Sequence, residues 1–382
     1  MNWSRSCKSV GTLTLGVAAM FMPVAALAAT HIVQPGQSIQ AAVDAAAPND
    51  TVLVMPGDYT ETHGNQIAVR ITKSLKLYAK SKLPDTKVRL LPGAGNIHGI
   101  VVEPVNPGVD PDVSNVRVKG FTVEGFSKNG IWLRYVDRYK IEGNESVNNL
   151  ENGIWPTLSA NGLVKKNLSY GSEDAALWIE ASENVRVIGN ELHSSPTGLE
   201  VTISTNIKMV KNNIHNNTVG VGLYHPTAAG LPAIPPYTQY GDWTLTANNI
   251  HDNNFVNTAP PGSMSAALPA GIGVLVLGVD RVTMKRNTVT GNGSVGIGAL
   301  DWCLGVADGP FDCSVNPPEV ADTVPDNNRY IANTVTGNGG DIGPGFPAVF
   351  AGDFLALGGT GNCFNANVTT IPPLFPLEPK CG

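Results

Sequence analysis

The chain has 382 residues, a formal net charge of −6, and 25 Lys and Arg against 31 Asp and Glu. That balance lacks the basic field a nucleic-acid partner needs. The 42 Gly and 28 Pro mark frequent turns rather than disorder, because β-branched runs are interleaved between them.

Residues 1–29 read as a cleaved export signal. Arg5 and Lys8 form a basic start, Val10 to Ala25 is apolar, and Ala26-Leu27-Ala28 is a small-residue cleavage site. The apolar run is too short to span a bilayer. The expectation is a periplasmic or secreted protein, monomeric, with no membrane insertion. Residues 30–382 then form one domain. Residues 30–66 are its N-terminal cap, with Ser38 capping a short helix through Ile39, Ala42, Val43 and Ala46. Such a helix shields the open end of a stacked sheet.

Coils are expected over 67–357. Asn144, Asn167, Asn190 and Asn212 recur at steps of 23, 23 and 22 residues, and Asn248, Asn287 and Asn333 continue the series. A period in the twenties built of short β-branched runs and Gly/Asn turns predicts an all-β solenoid of parallel strands with coils of about 23 residues. The asparagines read as a stacked corner ladder, and Asn149, Asn217, Asn253, Asn292 and Asn338 as a second one. Strand alternation points Ile131, Ile154, Leu177, Leu199 and Val221 inward. Insertions at 226–241 and 303–325 leave after the glycine-led strand, and 255–269 leaves from another corner. Residues 358–382 read as a C-terminal tail.

Trp132, Trp155 and Trp178, one period apart and outward in register, predict an exposed aromatic ladder at about the 4.8 Å strand spacing. Sugar faces stack on indole, so the expected partner is a polysaccharide, with Trp302 and Asp301 as further binding residues. The Trp column continues into Glu200, Gly222, Gly273 and Gly298. Two residues along lie Arg134, Glu180 and Tyr224, the last followed by His225. The candidate catalytic set is therefore Glu180, Glu200, Arg134, Tyr224 and His225. A carboxylate pair suits glycoside hydrolysis. A cation, a base and an acid suit β-elimination or C5-epimerisation of a uronate. Lys128, Glu151 and Asp174 form a further charged column, with Glu173 beside it.

Arg117, Lys140, Arg186 and Lys208 align outward on another strand, interrupted by Leu163. This stripe suits a polyanionic glycan or a solvated edge. Asp110 and Asp112 are the candidates for calcium, and His193, His215 and His251 recur on separate coils. Four cysteines survive cleavage. Three pairings are possible, of which Cys303–Cys313 and Cys363–Cys381 are the most economical.

The stretch Ser38-Ile39-Gln40-Ala41-Ala42-Val43, followed by Asn49-Asp50-Thr51-Val52 and Pro56-Gly57-Asp58-Tyr59, resembles the opening of parallel β-helix proteins of the pectin-lyase-like superfamily. Ser172-Glu173-Asp174-Ala175-Ala176-Leu177 and Pro269-Ala270-Gly271-Ile272-Gly273-Val274 are similar to its exported repeat-containing branch. The resemblance implies a right-handed coil and carbohydrate chemistry, as polysaccharide lyase or uronate epimerase. It also implies an alternative: a non-catalytic periplasmic accessory or scaffold protein, as in the branch that assists copper-enzyme maturation. The chain lacks the Asp-Pro-His-Asp stretch of mannuronan epimerases, the Gly-His-Gly motif of polygalacturonases and the Arg-x-Pro-x-x-Arg signature of pectate lyases.

Overall fold

The computed structural model describes residues 27–63, 66–81, 86–226, 240–305, 313–314, 317–318, 321–373 and 379–381. The expected signal falls almost wholly outside these residues, as do most of the 226–241 insertion and part of 303–325. No helix among the described residues is long and apolar enough to cross a membrane.

The chain is a right-handed parallel β-helix. Each coil visits three sheets in turn, here A, B and C. In one coil they receive Lys140–Glu142, Glu145–Val147 and Ile154–Thr157, and in the next Leu163–Lys165, Leu168–Tyr170 and Ala175–Glu180. All pairings are parallel and in register, for example Ile141 with Val164 and Ile131 with Ile154. The alternation expected from sequence holds. Ile131, Ile154, Leu177, Leu199 and Val221 are buried, and each such side chain contributes about 1.5–3 kcal/mol.

Both corners flanking sheet B are built from amides. Between A and B, Asn167 Oδ1 accepts from Asn144 N at 3.0 Å and from Asn144 Nδ2 at 3.2 Å, while Asn167 Nδ2 donates to Ile141 O at 3.0 Å. The same pattern links Asn190, Asn212, Asn248, Asn287 and Asn333. The residue before each of these asparagines takes positive φ, at Gly143 and Gly189 but also at Lys166, Lys211 and Ala247. Between B and C, Asn149, Asn217, Asn253, Asn292 and Asn338 form the second ladder. Where it lacks an asparagine, Ser195 Oγ accepts from Ser172 N at 3.1 Å.

Stacking extends further than the sequence pattern indicates. Thr30–Val33 and Thr51–Val54 pair within sheet A, inside the segment read as cap. Cys363–Asn365 and Val368–Thr369 pair with sheets A and B inside the expected tail. The latter two strands have three and two residues, too short for alternation to stand out. The helix Ile39–Ala45 is capped as expected, Ser38 Oγ accepting from Ala41 N at 3.0 Å. The disulfides are Cys303–Cys313 and Cys363–Cys381, with Cα separations of 5.5 and 4.8 Å.

Candidate active site on sheet C

The outer face of sheet C divides into a polar half and an apolar half. In the polar half Trp132, Trp155 and Trp178 pair rung to rung and stack, with centroids 5.1 and 5.3 Å apart and planes within 8°. All three are partly exposed. His98 extends the ladder at 5.2 Å. Arg134 lies over Trp132, its Cζ 4.5 Å from the ring. Its guanidinium is bound to the buried carboxylate of Glu103, which also pairs with Arg70 at 2.7 Å.

Trp178 is in register with Glu200, and Glu180 with Thr202. Glu180 and Glu200 are therefore diagonal neighbours on adjacent strands, with Cα atoms about 7–8 Å apart. Their surroundings differ. Glu180 Oε2 accepts from Trp155 Nε1 at 3.1 Å and from Thr157 Oγ1 at 2.9 Å. Burial pushes its pKa up to about 7, against the pull of those two donors. Glu200 has no such donors, and its Oε2 is buried without a hydrogen-bond partner. Burial, and then the charges of Asp174 and Glu180, hold it protonated well above the usual carboxylate range. Burial raises both carboxyls, but only Glu180 has donors that offset it.

Tyr224 completes the group. A Cβ at Gly222 would lie 2.2 Å from Tyr224 Oη, so the glycine is what lets the phenol ring lie across its rung. Tyr224 is fully buried, and burial together with Glu200 drives its pKa up. Asp174, also raised by burial, accepts from Ser265 Oγ at 2.6 Å. That bond ties the 255–269 insertion to the edge of the site.

Beyond Tyr224 the face is apolar. Ile272, Leu275, Leu277 and Val295 pack with Met264, Leu268 and Trp302. A cavity of about 280 Å³ remains between these strands, Phe346 and Phe350.

The structure brings together Glu180, Glu200, Tyr224, Trp155 and Trp178, and sets Trp132 and Arg134 at one end of the ladder. It places the other expected residues elsewhere. His225 turns into the C–A corner, where its Nε2 lies 2.9 Å from Asp322 O and its ring packs on Trp302 at 5.6 Å. Burial lowers its pKa to about 4. Trp302 is fully buried there rather than displayed. Asp301 caps the short turn after it, accepting from Cys303 N at 2.7 Å. Gly273 is not in the Trp column. Gly222 pairs with Leu275, because the Gly-Ile-Gly-Val-Leu run is shifted by two residues and a two-residue shift leaves the alternation intact. Sequence reasoning missed the roles of Thr157 and Ser265, and Asp174 was read only as part of a charged column.

For metals, the calcium candidate Asp110 closes its own loop, accepting from Asn106 N at 2.9 Å. His193, His215 and His251 stack with Tyr170 on the outer face of sheet B. No cluster of three or more metal-ligating side chains occurs among the described residues.

A family model described as a right handed beta helix region matches residues 109–230. No curated protein sequence matches the chain. Among solved structures, the A-module of mannuronan C-5 epimerase AlgE6 of Azotobacter vinelandii is 18% identical, with a TM-score of 0.53 over 87% of this chain and 94% of that one. DFA-IIIase from Arthrobacter chlorophenolicus A6 without its lid is 14% identical, with a TM-score of 0.56 over 89% and 90%. The periplasmic alginate epimerase AlgG is 12% identical, with a TM-score of 0.55 over 84% and 77%. These likenesses are of fold, the pectin-lyase-like right-handed β-helix.

Proposed function

We propose that this β-helix is a carbohydrate-active enzyme that cleaves a glycosidic bond on the outer face of sheet C. The reading rests on one observation: a buried carboxyl pair, Glu180 and Glu200, adjoins a stacked and partly exposed tryptophan ladder, with Glu180 bonded to Trp155. The ladder binds the sugar chain by stacking. Glu200, held protonated, donates a proton to the leaving glycosidic oxygen. Glu180, whose ionised form is stabilised by Trp155 and Thr157, acts as the carboxylate that activates water for attack at the anomeric carbon. The bond to the leaving sugar breaks, and the elements of water are added across it.

The fold likeness to uronate epimerases keeps elimination or epimerisation as a second reading. Those reactions need a cation at the substrate carboxylate. Arg134, the expected cation, is committed to Glu103, and the carboxyls around Glu200 disfavour another negative charge. A neutral sugar at the cleavage point fits better. The two disulfides suit an oxidising compartment, periplasmic or extracellular.

The test is a panel of neutral and uronate polysaccharides, followed by reducing-end release and by ultraviolet absorbance of unsaturated uronate. Reducing ends without absorbance, lost by about 10²-fold or more in Glu180→Gln and Glu200→Gln, is the expected result. Absorbance would establish the lyase. Binding to no glycan on the panel would favour the accessory role.

A further inference from the structure

We infer that sheet A carries a second glycan site, a groove for a linear carboxylate-bearing polysaccharide. It is independent of the sheet C reading. Lys76, Arg117 and Lys140 sit in register on successive coils, and Arg186 and Lys208 continue the column after Leu163. All but Lys76 are well exposed. Several cations elsewhere on the helix are paired, Lys87 with Glu145, Arg89 with Glu124, Lys128 with Glu151 and Arg281 with Asp242, while unpaired ones such as Lys211 and Lys285 do not fall in so long a register-aligned column. None of the five in this column has an ion-pair partner among the described residues. In a chain with more acidic than basic residues, such an uncompensated line is a specific feature.

Lys76, Arg117, Lys140 and Arg186 of this column line a groove of about 500 Å³ together with Arg138 and the amides of Asn115, Asn161 and Asn184. These asparagines are held by links along the coils. Asn161 Nδ2 donates to Asp137 Oδ1 at 2.7 Å and Asn184 Nδ2 to Asn161 Oδ1 at 3.3 Å. The groove therefore offers both positive charge and hydrogen-bonding amides, the complement of a chain bearing carboxylates and hydroxyls.

Spacing selects the ligand. Successive cations lie one strand spacing apart, about 4.8 Å, and an extended pyranose chain advances by about 5 Å per sugar. Successive carboxylates can thus meet successive rungs, and Leu163 leaves one rung without charge. A single-stranded nucleic acid fits less well, because binding it relies on aromatic platforms for the bases. The one aromatic lining the groove, Tyr139, is buried.

The test measures binding of the full-length mature protein to alginate, to a neutral glucan and to single-stranded DNA, by affinity electrophoresis at low and high salt. The comparison is with the triple variant Arg117→Ala, Lys140→Ala, Arg186→Ala. The three side chains are exposed and unpaired, so the variant should fold, which thermal melting checks. Expected is salt-sensitive binding to alginate over the other two ligands, weakened at least tenfold in the triple variant and unchanged in Trp155→Ala. Equal binding to DNA would mean a nonspecific polyanion surface and overturn the proposal. So would alginate binding that survives the triple substitution, or none at all. Loss in Trp155→Ala alone would assign alginate to sheet C instead.

Discussion

Trp155 Nε1 donates to Glu180 Oε2 at 3.1 Å across one coil boundary, so the platform that would hold a sugar also helps stabilise the charged form of the carboxyl beside it. Packing, hydrogen bonding and proton affinity are linked through one side chain.

Trp155→Phe should separate these roles. It keeps a ring for stacking but removes a donor that lowers the Glu180 pKa, which then rises above about 7. If Glu180 must be ionised for turnover, the acidic limb of the pH–rate profile moves to higher pH, with little loss of affinity. An unmoved limb would mean that another group controls it.

Stability should depend on pH through the same residue. The folded-state pKa of Glu180 is raised from 4.5 to about 7, so the native state holds its proton longer than the unfolded chain. Its stabilising contribution is complete below about 4.5 and falls by about 3 kcal/mol as pH rises to 7 and above. His225 acts with the opposite sign. Its pKa is lowered to about 4, so its contribution is lost as pH falls from about 6.5 toward 4. Urea titrations of wild type and Glu180→Gln isolate the first effect. The difference between the two should shift by about 3 kcal/mol between pH 4.5 and 7.

Asn167→Ala should cost about 2–4 kcal/mol. It removes the acceptor for Asn144 N and Nδ2 and the donor to Ile141 O, leaving buried groups unpaired. Asn161→Ala, at an exposed rung, should stay within about 0.5 kcal/mol. Equal melting shifts for the two would remove the distinction between ladder and surface amides.

Glycine substitutions should divide in the same manner. Gly143→Ala meets no atom within 4 Å, so only its φ of 61° matters, and a loss of about 1 kcal/mol is expected. Gly222→Ala would drive a methyl into Tyr224 Oη. It should displace the phenol and abolish activity while leaving the core strands intact, checked by thermal melting and by turnover.

The periodic elements of this fold were legible in sequence, because each coil obeys the same constraints. The Asn144–Asn167–Asn190 spacing marked the A–B corner, and the Trp132–Trp155–Trp178 spacing marked an outward column. What escaped lies where periodicity stops. Alternation assigns a face but not a rung, which is why Gly273 stood in for Leu275. It also says nothing about where a strand ends, so His225, one residue after Tyr224, turned into a corner rather than joining the site. The Asp174–Ser265 bond joins residues 91 apart through an insertion whose path no repeat encodes.

The amide ladders have a direction. Each asparagine of the first ladder offers its side-chain oxygen to the coil before it and depends for its own backbone N–H on the coil after it. The arrangement works like roof tiles, each overlapping the last, and it needs a closing piece. That piece is Asn367 for the first ladder and Asp353 for the second. Whole tiles can be added or removed without disturbing the overlap. A gain or loss of one 23-residue unit would lengthen or shorten the tryptophan platform by one indole, about 4.8 Å, so under the proposed binding role the length of glycan held would change one sugar at a time.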